Sequence, residues 1–192
     1  MNWLILVILL FALPCYADEI DDIIPYIIQV ESGGNPDVVS SKGAVGLMQI
    51  TPIVLKEYNL NAQPEVTDNK LVVYQEYHYE DLFIVESNIE IGTWYLRRLR
   101  DYYLKDVKFN FYTIMGVGGV IFNNPKGKEE LLMAGCKDFP NILCNEDYRL
   151  ALILAAYNGG ITELRKNNYD INKMPKETRE YIKKVMKAYI GD

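Results

Sequence analysis

The segment from about Asp81 to Lys105 constrains the fold most, because it keeps one apolar face over its whole length. Val85, Ile89, Gly92, Tyr95, Leu96, Leu99 and Tyr103 recur at three- and four-residue steps, and Arg97, Arg98 and Arg100 turn outward. A helix with so long a stripe must be covered by other elements, so it is expected to be a central core helix. Gly92 in its interior is unfavourable by about 1 kcal/mol against Ala, and the expected reason is close approach of another backbone.

The same period recurs on both sides. Ile20, Ile23, Ile24, Ile27 and Ile28 form a stripe that stops at Gly33, Gly34, Asn35 and Pro36. Thr51 can cap, and Pro52 open, a second helix, followed by a loop rich in Asn, Gln and Pro over residues 59–69. Asp147 is a candidate N-cap for a helix running through Leu150, Leu152, Ile153, Leu154 and Ala155 to Tyr157, ended by Asn158, Gly159 and Gly160. A last helix opens around Pro175 and carries Tyr181, Ile182, Val185, Met186 and Tyr189. Residues 106–145 depart from this pattern: Phe109 to Phe122 fits either a helix or a pair of short strands, and the rest reads as an irregular lobe. The fold class is therefore mainly α, one domain with a small irregular or β-containing insertion.

Residues 2–13 are an uninterrupted apolar run, followed by Pro14 and the small-residue pattern Cys15-Tyr16-Ala17. Residues 1–17 are expected to be a secretory signal peptide and 18–192 the exported domain, since the run falls short of the roughly 20 residues that span a bilayer. An uncleaved anchor is the alternative; Pro14 before Cys15 does not suit lipid attachment. After cleavage no stable membrane insertion is expected. A net charge of -6 without a dense basic run argues against nucleic acid as a partner. Cys136 and Cys144 are expected to form a disulfide closing a short loop, with two free thiols as the alternative. Together with a single histidine they are too few for a zinc site.

That histidine, His78, sits in a polar, Tyr-rich stretch with no nucleophile elbow nearby and is expected at the surface, which argues against Ser-His and Cys-His catalysis. Gly116-Val117-Gly118-Gly119 lacks the Lys-Ser/Thr of a phosphate loop. Carboxylates, amides and tyrosine hydroxyls remain, the equipment of sugar-bond cleavage. Among them Glu31 stands out, four residues beyond Ile27 on the buried stripe of the first helix. Removal from water penalises its charged form, raises its pKa and suits it to donate a proton; pairing with an Arg or Lys is the structural alternative. Asp37, Glu80, Asp81 and Glu86 lie off that face and offer no second carboxylate of similar placement.

Read together, four blocks resemble one family. Glu31-Ser32-Gly33-Gly34-Asn35-Pro36 with Ser40-Ser41-Lys42-Gly43-Ala44-Val45-Gly46-Leu47-Met48-Gln49-Ile50-Thr51-Pro52 is similar to the signature of the soluble lytic transglycosylases. Asn88-Ile89, Gly92 and Tyr95-Leu96 resemble that family's central-helix pattern, and Ala155-Ala156-Tyr157-Asn158-Gly159-Gly160 its Ala-Tyr-Asn-Gly block. Pro175-Lys176-Glu177-Thr178-Arg179-Glu180-Tyr181-Ile182 completes the set.

The resemblance implies a mainly helical fold similar to goose-type lysozyme, working without a cofactor on peptidoglycan glycan strands in the bacterial periplasm or cell envelope. It implies that Glu31 protonates the bond between N-acetylmuramic acid and N-acetylglucosamine. The same carboxyl then takes the proton of the muramic C6 hydroxyl, leaving a 1,6-anhydromuramic end. It further implies that Ser40, Met48 and Gln49 line the cleft and contact the muramic N-acetyl group, and that Tyr157 and Asn158 sit beside Glu31. Tyr181 is placed to reach the same carboxyl, with a plain core role as its alternative, and Glu177 is a substrate-binding candidate that equally suits capping its own helix. The cysteine-bearing lobe is expected to form one wall of the groove. A hydrolytic muramidase and a non-catalytic wall-binding or assembly factor are the competing functions, and the size also suits service to a secretion or pilus apparatus.

Overall fold

The protein is described from a computed structural model that covers residues 18–61, 66–67, 70–71, 76–114, 117–123, 129–132 and 148–190, with side chains over 18–61, 76–107 and 148–190. The proposed signal segment, Asp147, Cys136, Cys144 and the lobe around the cysteines lie outside the described residues.

Helix α1, Glu19–Glu31, starts where the Asp18 carboxylate accepts the Ile20 N–H at 3.2 Å, and Glu19, Asp21 and Asp22 in its first turn complement the positive end of the helix. It buries Ile20, Ile23 and Ile27, as the periodicity requires. Ser32 ends it, its N–H and hydroxyl both donating to the Ile28 carbonyl at 3.1 Å. Gly33 and Gly34 then take left-handed φ values of +64° and +84° that turn the chain away from the axis.

Residues 38–50 fold into a tight looped platform, pinned by bridges of Val45 to Val39 and to Ile50. Helix α2, Pro52–Asn61, follows with the Thr51 hydroxyl accepting the Val54 N–H at 3.3 Å, so the expected cap is present.

The long periodic segment divides into three pieces: a 3-10 turn at Tyr79–Phe83, helix α3 at Val85–Arg98, and a π-helical turn at Leu99–Tyr103. In α3 the buried residues are Ser87, Asn88, Ile91, Gly92, Thr93, Tyr95 and Leu96, and Leu82 and Leu99 of the flanking turns are buried with them, whereas Val85, expected on the apolar face, is exposed. Nor do the arginines simply face water. Arg97 pairs with Asp21 at 2.6 Å and Asp18 at 3.2 Å, Arg98 with Glu57 at 2.6 Å, and Arg100 with Asp18 and Asp101. They tie α3 and its π turn to α1 and α2. The reason for Gly92 is also different: a Cβ there would stand 2.4 Å from Met48 Sδ, so a side chain, and not a backbone, makes the close approach.

Helix α4, Tyr148–Gly159, is also at the centre of the molecule, with Leu150 through Ala156 all buried. A helix apolar on every side belongs inside a core. It packs on α6, Lys176–Ile190, on the short α5, Ile161–Lys166, and on the π turn; α6 in turn packs on α1.

Residues 108–132 supply a three-stranded antiparallel sheet. In it β3, Lys108–Ile114, pairs with β4, Val117–Asn123, which pairs with β5, Glu129–Leu132. The register sets Phe109 opposite Phe122 and Phe111 opposite Val120, cross-strand pairs of residue types that favour strands. Of the two structures open to this stretch, strands are the one adopted. Two short strands, Val66–Thr67 and Lys70–Leu71, pair antiparallel after α2. Among the described residues no helix is long and apolar enough to cross a membrane.

Candidate active site

Glu31 is the last residue of α1, half-buried at the point where the chain leaves the helix. Burial lifts its pKa from the ordinary 4.5 to about 7, with the Tyr181 hydroxyl pulling it down and the negative charge of Glu177 pushing it up. Near neutrality the carboxyl is thus divided between its two forms, so it can both give and accept a proton. The structural alternative of an Arg or Lys partner is not adopted: among the described residues no ion pair involves it.

Two phenols from different helices converge on this carboxyl. Tyr181 of α6 is buried, and its hydroxyl acts on Glu31 with no other hydrogen-bond partner among the described residues. Tyr157 of α4 donates its hydroxyl proton to the Met48 carbonyl at 2.7 Å, and its ring lies 5.8 Å from that of Tyr95. Burial and the charge of Glu31 hold the Tyr157 and Tyr181 hydroxyls well above the ordinary tyrosine pKa. Both remain phenols throughout the working range and serve as hydrogen-bonding groups. Asn158, next along α4, is half-buried, and its side-chain amide makes no hydrogen bond among the described residues. Glu177 is exposed on the first turn of α6 and reaches Glu31 only through its charge.

The platform residues are placed less simply than expected for a cleft wall. Ser40 Oγ accepts the Ala44 N–H at 3.0 Å and the Lys42 N–H at 3.3 Å, holding its own turn and leaving its proton to donate. Gln49 adopts φ 50° and spends its amide N–H groups on the Val38 and Gly46 carbonyls, at 3.1 and 3.0 Å. Met48, expected to contact sugar, is fully buried; its side chain packs on Gly92 and only its main chain faces the site. His78 is exposed beside its 3-10 turn, away from these groups.

Two supporting residues, Asn88 and Gly46, belong to the motif blocks of the sequence but were given no individual role there. Asn88 is fully buried; its amide donates to the Val45 and Leu82 carbonyls at 2.9 and 2.8 Å and accepts the Met48 N–H at 2.8 Å. The legible signal was an amide on the apolar stripe four residues before Gly92. Gly46, at φ +80°, admits no side chain, since a Cβ would stand 2.2 Å from Asn88 Nδ2.

The family described as "Transglycosylase SLT domain" matches residues 19–182. Two proteins of Klebsiella pneumoniae, from strains ATCC 700721 / MGH 78578 and 342, are 36% identical over 91 residues; both are named "Endo-type membrane-bound lytic murein transglycosylase A". That match covers 45% of this chain and spans only 38% of the length of those relatives. The crystal structure of the 70 kDa soluble lytic transglycosylase SLT70 from Escherichia coli aligns with a TM-score of 0.48 at 24% identity, over 89% of this chain and 22% of that one.

Proposed function

Because the chain belongs to the transglycosylase SLT domain family, we propose that it is a peptidoglycan lytic transglycosylase, acting after export on glycan strands of the cell envelope. It cuts the β-1,4 bond between N-acetylmuramic acid and N-acetylglucosamine without consuming water. The observation that carries this is the Glu31 carboxyl, lifted to a pKa of about 7 by burial and, among the described residues, in no ion pair.

In the first step Glu31 gives its proton to the glycosidic oxygen, the C1–O bond breaks, and N-acetylglucosamine leaves as an alcohol. The oxocarbenium-like centre at C1 is stabilised by the substrate's own N-acetyl carbonyl oxygen. The Glu31 carboxylate then takes the proton of the muramic C6 hydroxyl while the C6 oxygen bonds to C1, which restores the acid and yields a 1,6-anhydro end. Tyr181 and Tyr157 orient the carboxyl. Asn158, the Ser40 hydroxyl and the free oxygen of the Gln49 amide hold the sugar. Support comes from the convergence of α1, α4 and α6 on one carboxyl.

A hydrolytic muramidase is the second assignment, favoured by one observation: the charge of Glu177 acts on Glu31, so a second carboxylate stands in electrostatic reach. Mass spectrometry of muropeptides released from sacculi separates the two, because anhydro products are lighter than hydrolytic ones by one water. Anhydro ends are expected. Glu31→Gln should abolish release while leaving binding to sacculi intact, and release by that variant sinks the assignment.

A further inference from the structure

We propose that Asn88 is a positioning residue: through the main chain of Met48 it commits the Tyr157 hydroxyl proton to the Met48 carbonyl and withholds it from the Glu31 carboxyl. The inference rests on the proposed function only for what the Glu31 proton is used for.

The chain of contacts is continuous. Asn88 on α3 holds the Gly46–Gln49 turn from below, with its oxygen on the Met48 N–H at 2.8 Å and its amide nitrogen on the Val45 carbonyl at 2.9 Å. The other face of the same Met48 peptide unit is its carbonyl, and that receives the Tyr157 hydroxyl at 2.7 Å across 109 residues of sequence. Gly92, one turn on from Asn88, leaves the space into which the Met48 side chain locks.

A phenol has one proton. Given to a carbonyl, it is unavailable to a carboxylate, and only the oxygen lone pairs remain to face Glu31. Lone pairs suit a protonated carboxyl and disfavour an ionised one. The titratable groups that act on Glu31 from the elements around it are Tyr181 and Glu177 of α6, while Tyr157 of α4 feels its charge and Tyr95 of α3 acts on Tyr157. Of the two phenols acting at the site, Tyr157 is the one whose proton is fixed elsewhere by a strong bond.

The test is a titration of the Glu31 carboxyl in the full chain labelled with 13C-glutamate, its signal identified by its loss in Glu31→Gln. In Asn88→Ala the Met48 carbonyl is released, Tyr157 turns to donate to Glu31, and the midpoint falls. A drop of roughly one to two pH units is expected, the span commanded by one hydrogen bond to a charged group. Adding Tyr157→Phe should remove that drop. Should Asn88→Ala not fold, Gly92→Ala decides, because its Cβ, 2.4 Å from Met48 Sδ, forces Met48 to move while sparing the Asn88 amide. A midpoint unchanged in the folded variant, or a drop that persists without the Tyr157 hydroxyl, overturns the role of Asn88. The titration reads the proton with or without turnover, so a wild-type chain inert on sacculi sinks the proposed function and not this one.

Discussion

Glu31 sets the behaviour of the protein at the residue scale. Its folded pKa of about 7 exceeds the ordinary 4.5, so the folded chain holds a proton that the unfolded chain releases between those values. Its contribution to stability is therefore complete below pH about 4.5 and lost as pH rises through 7. The wild type should lose up to about 3 kcal/mol across that window in urea unfolding, and Glu31→Gln should flatten the loss. Glu177→Gln removes a repelling charge, so the alkaline limb of activity should move to lower pH while turnover persists. The position of Glu31 was legible because one carboxylate on a stripe of isoleucines violates the pattern around it. Met48 misled for the opposite reason. A residue type advertises its side chain, but here the main-chain N–H and C=O do the work, and no letter in the sequence records that.

Between elements, the ties are ionic and aromatic as well as apolar. Arg98 joins α3 to α2 through Glu57 at 2.6 Å and Asn61 at 3.0 Å, and its guanidinium lies 4.6 Å from the Tyr102 ring centroid. Both charges are about one-fifth exposed, so truncation strands a half-buried carboxylate that, among the described residues, keeps the Tyr103 hydroxyl at 2.7 Å. Arg98→Ala should lower unfolding stability by about 2 kcal/mol, more than a surface pair contributes. The helical pattern read these arginines as an outward face and could not see their partners, because Asp18, Asp21 and Glu57 arrive from distant sequence. The helix start at Thr51, in contrast, rests on local chemistry and was readable from the sequence, and the Asp18 cap found in the structure is of the same local kind. Strands β3 and β4 were legible only as one of two options, since a short apolar run has no period long enough to choose.

Across the whole molecule, α4 is the element whose exposure requires everything else to come apart. Amide hydrogen exchange at Leu152 to Ala155 should follow global unfolding, while α2, with Ile53 and Leu60 exposed, should exchange earlier through local opening. The 81–105 segment is the core helix its long stripe announced, burying Ile91, Tyr95 and Leu96, and α4 joins it at the centre because, though shorter, it is apolar all round. A last consequence concerns synthesis. Glu31 leaves the ribosome early, yet Tyr157 and Tyr181 that enclose it belong to the final quarter of the chain. Until α6 docks, the carboxyl is bathed in solvent and ionised like any other, so a nascent or truncated chain is chemically silent, and a blade of this kind is sharpened only when its making is finished.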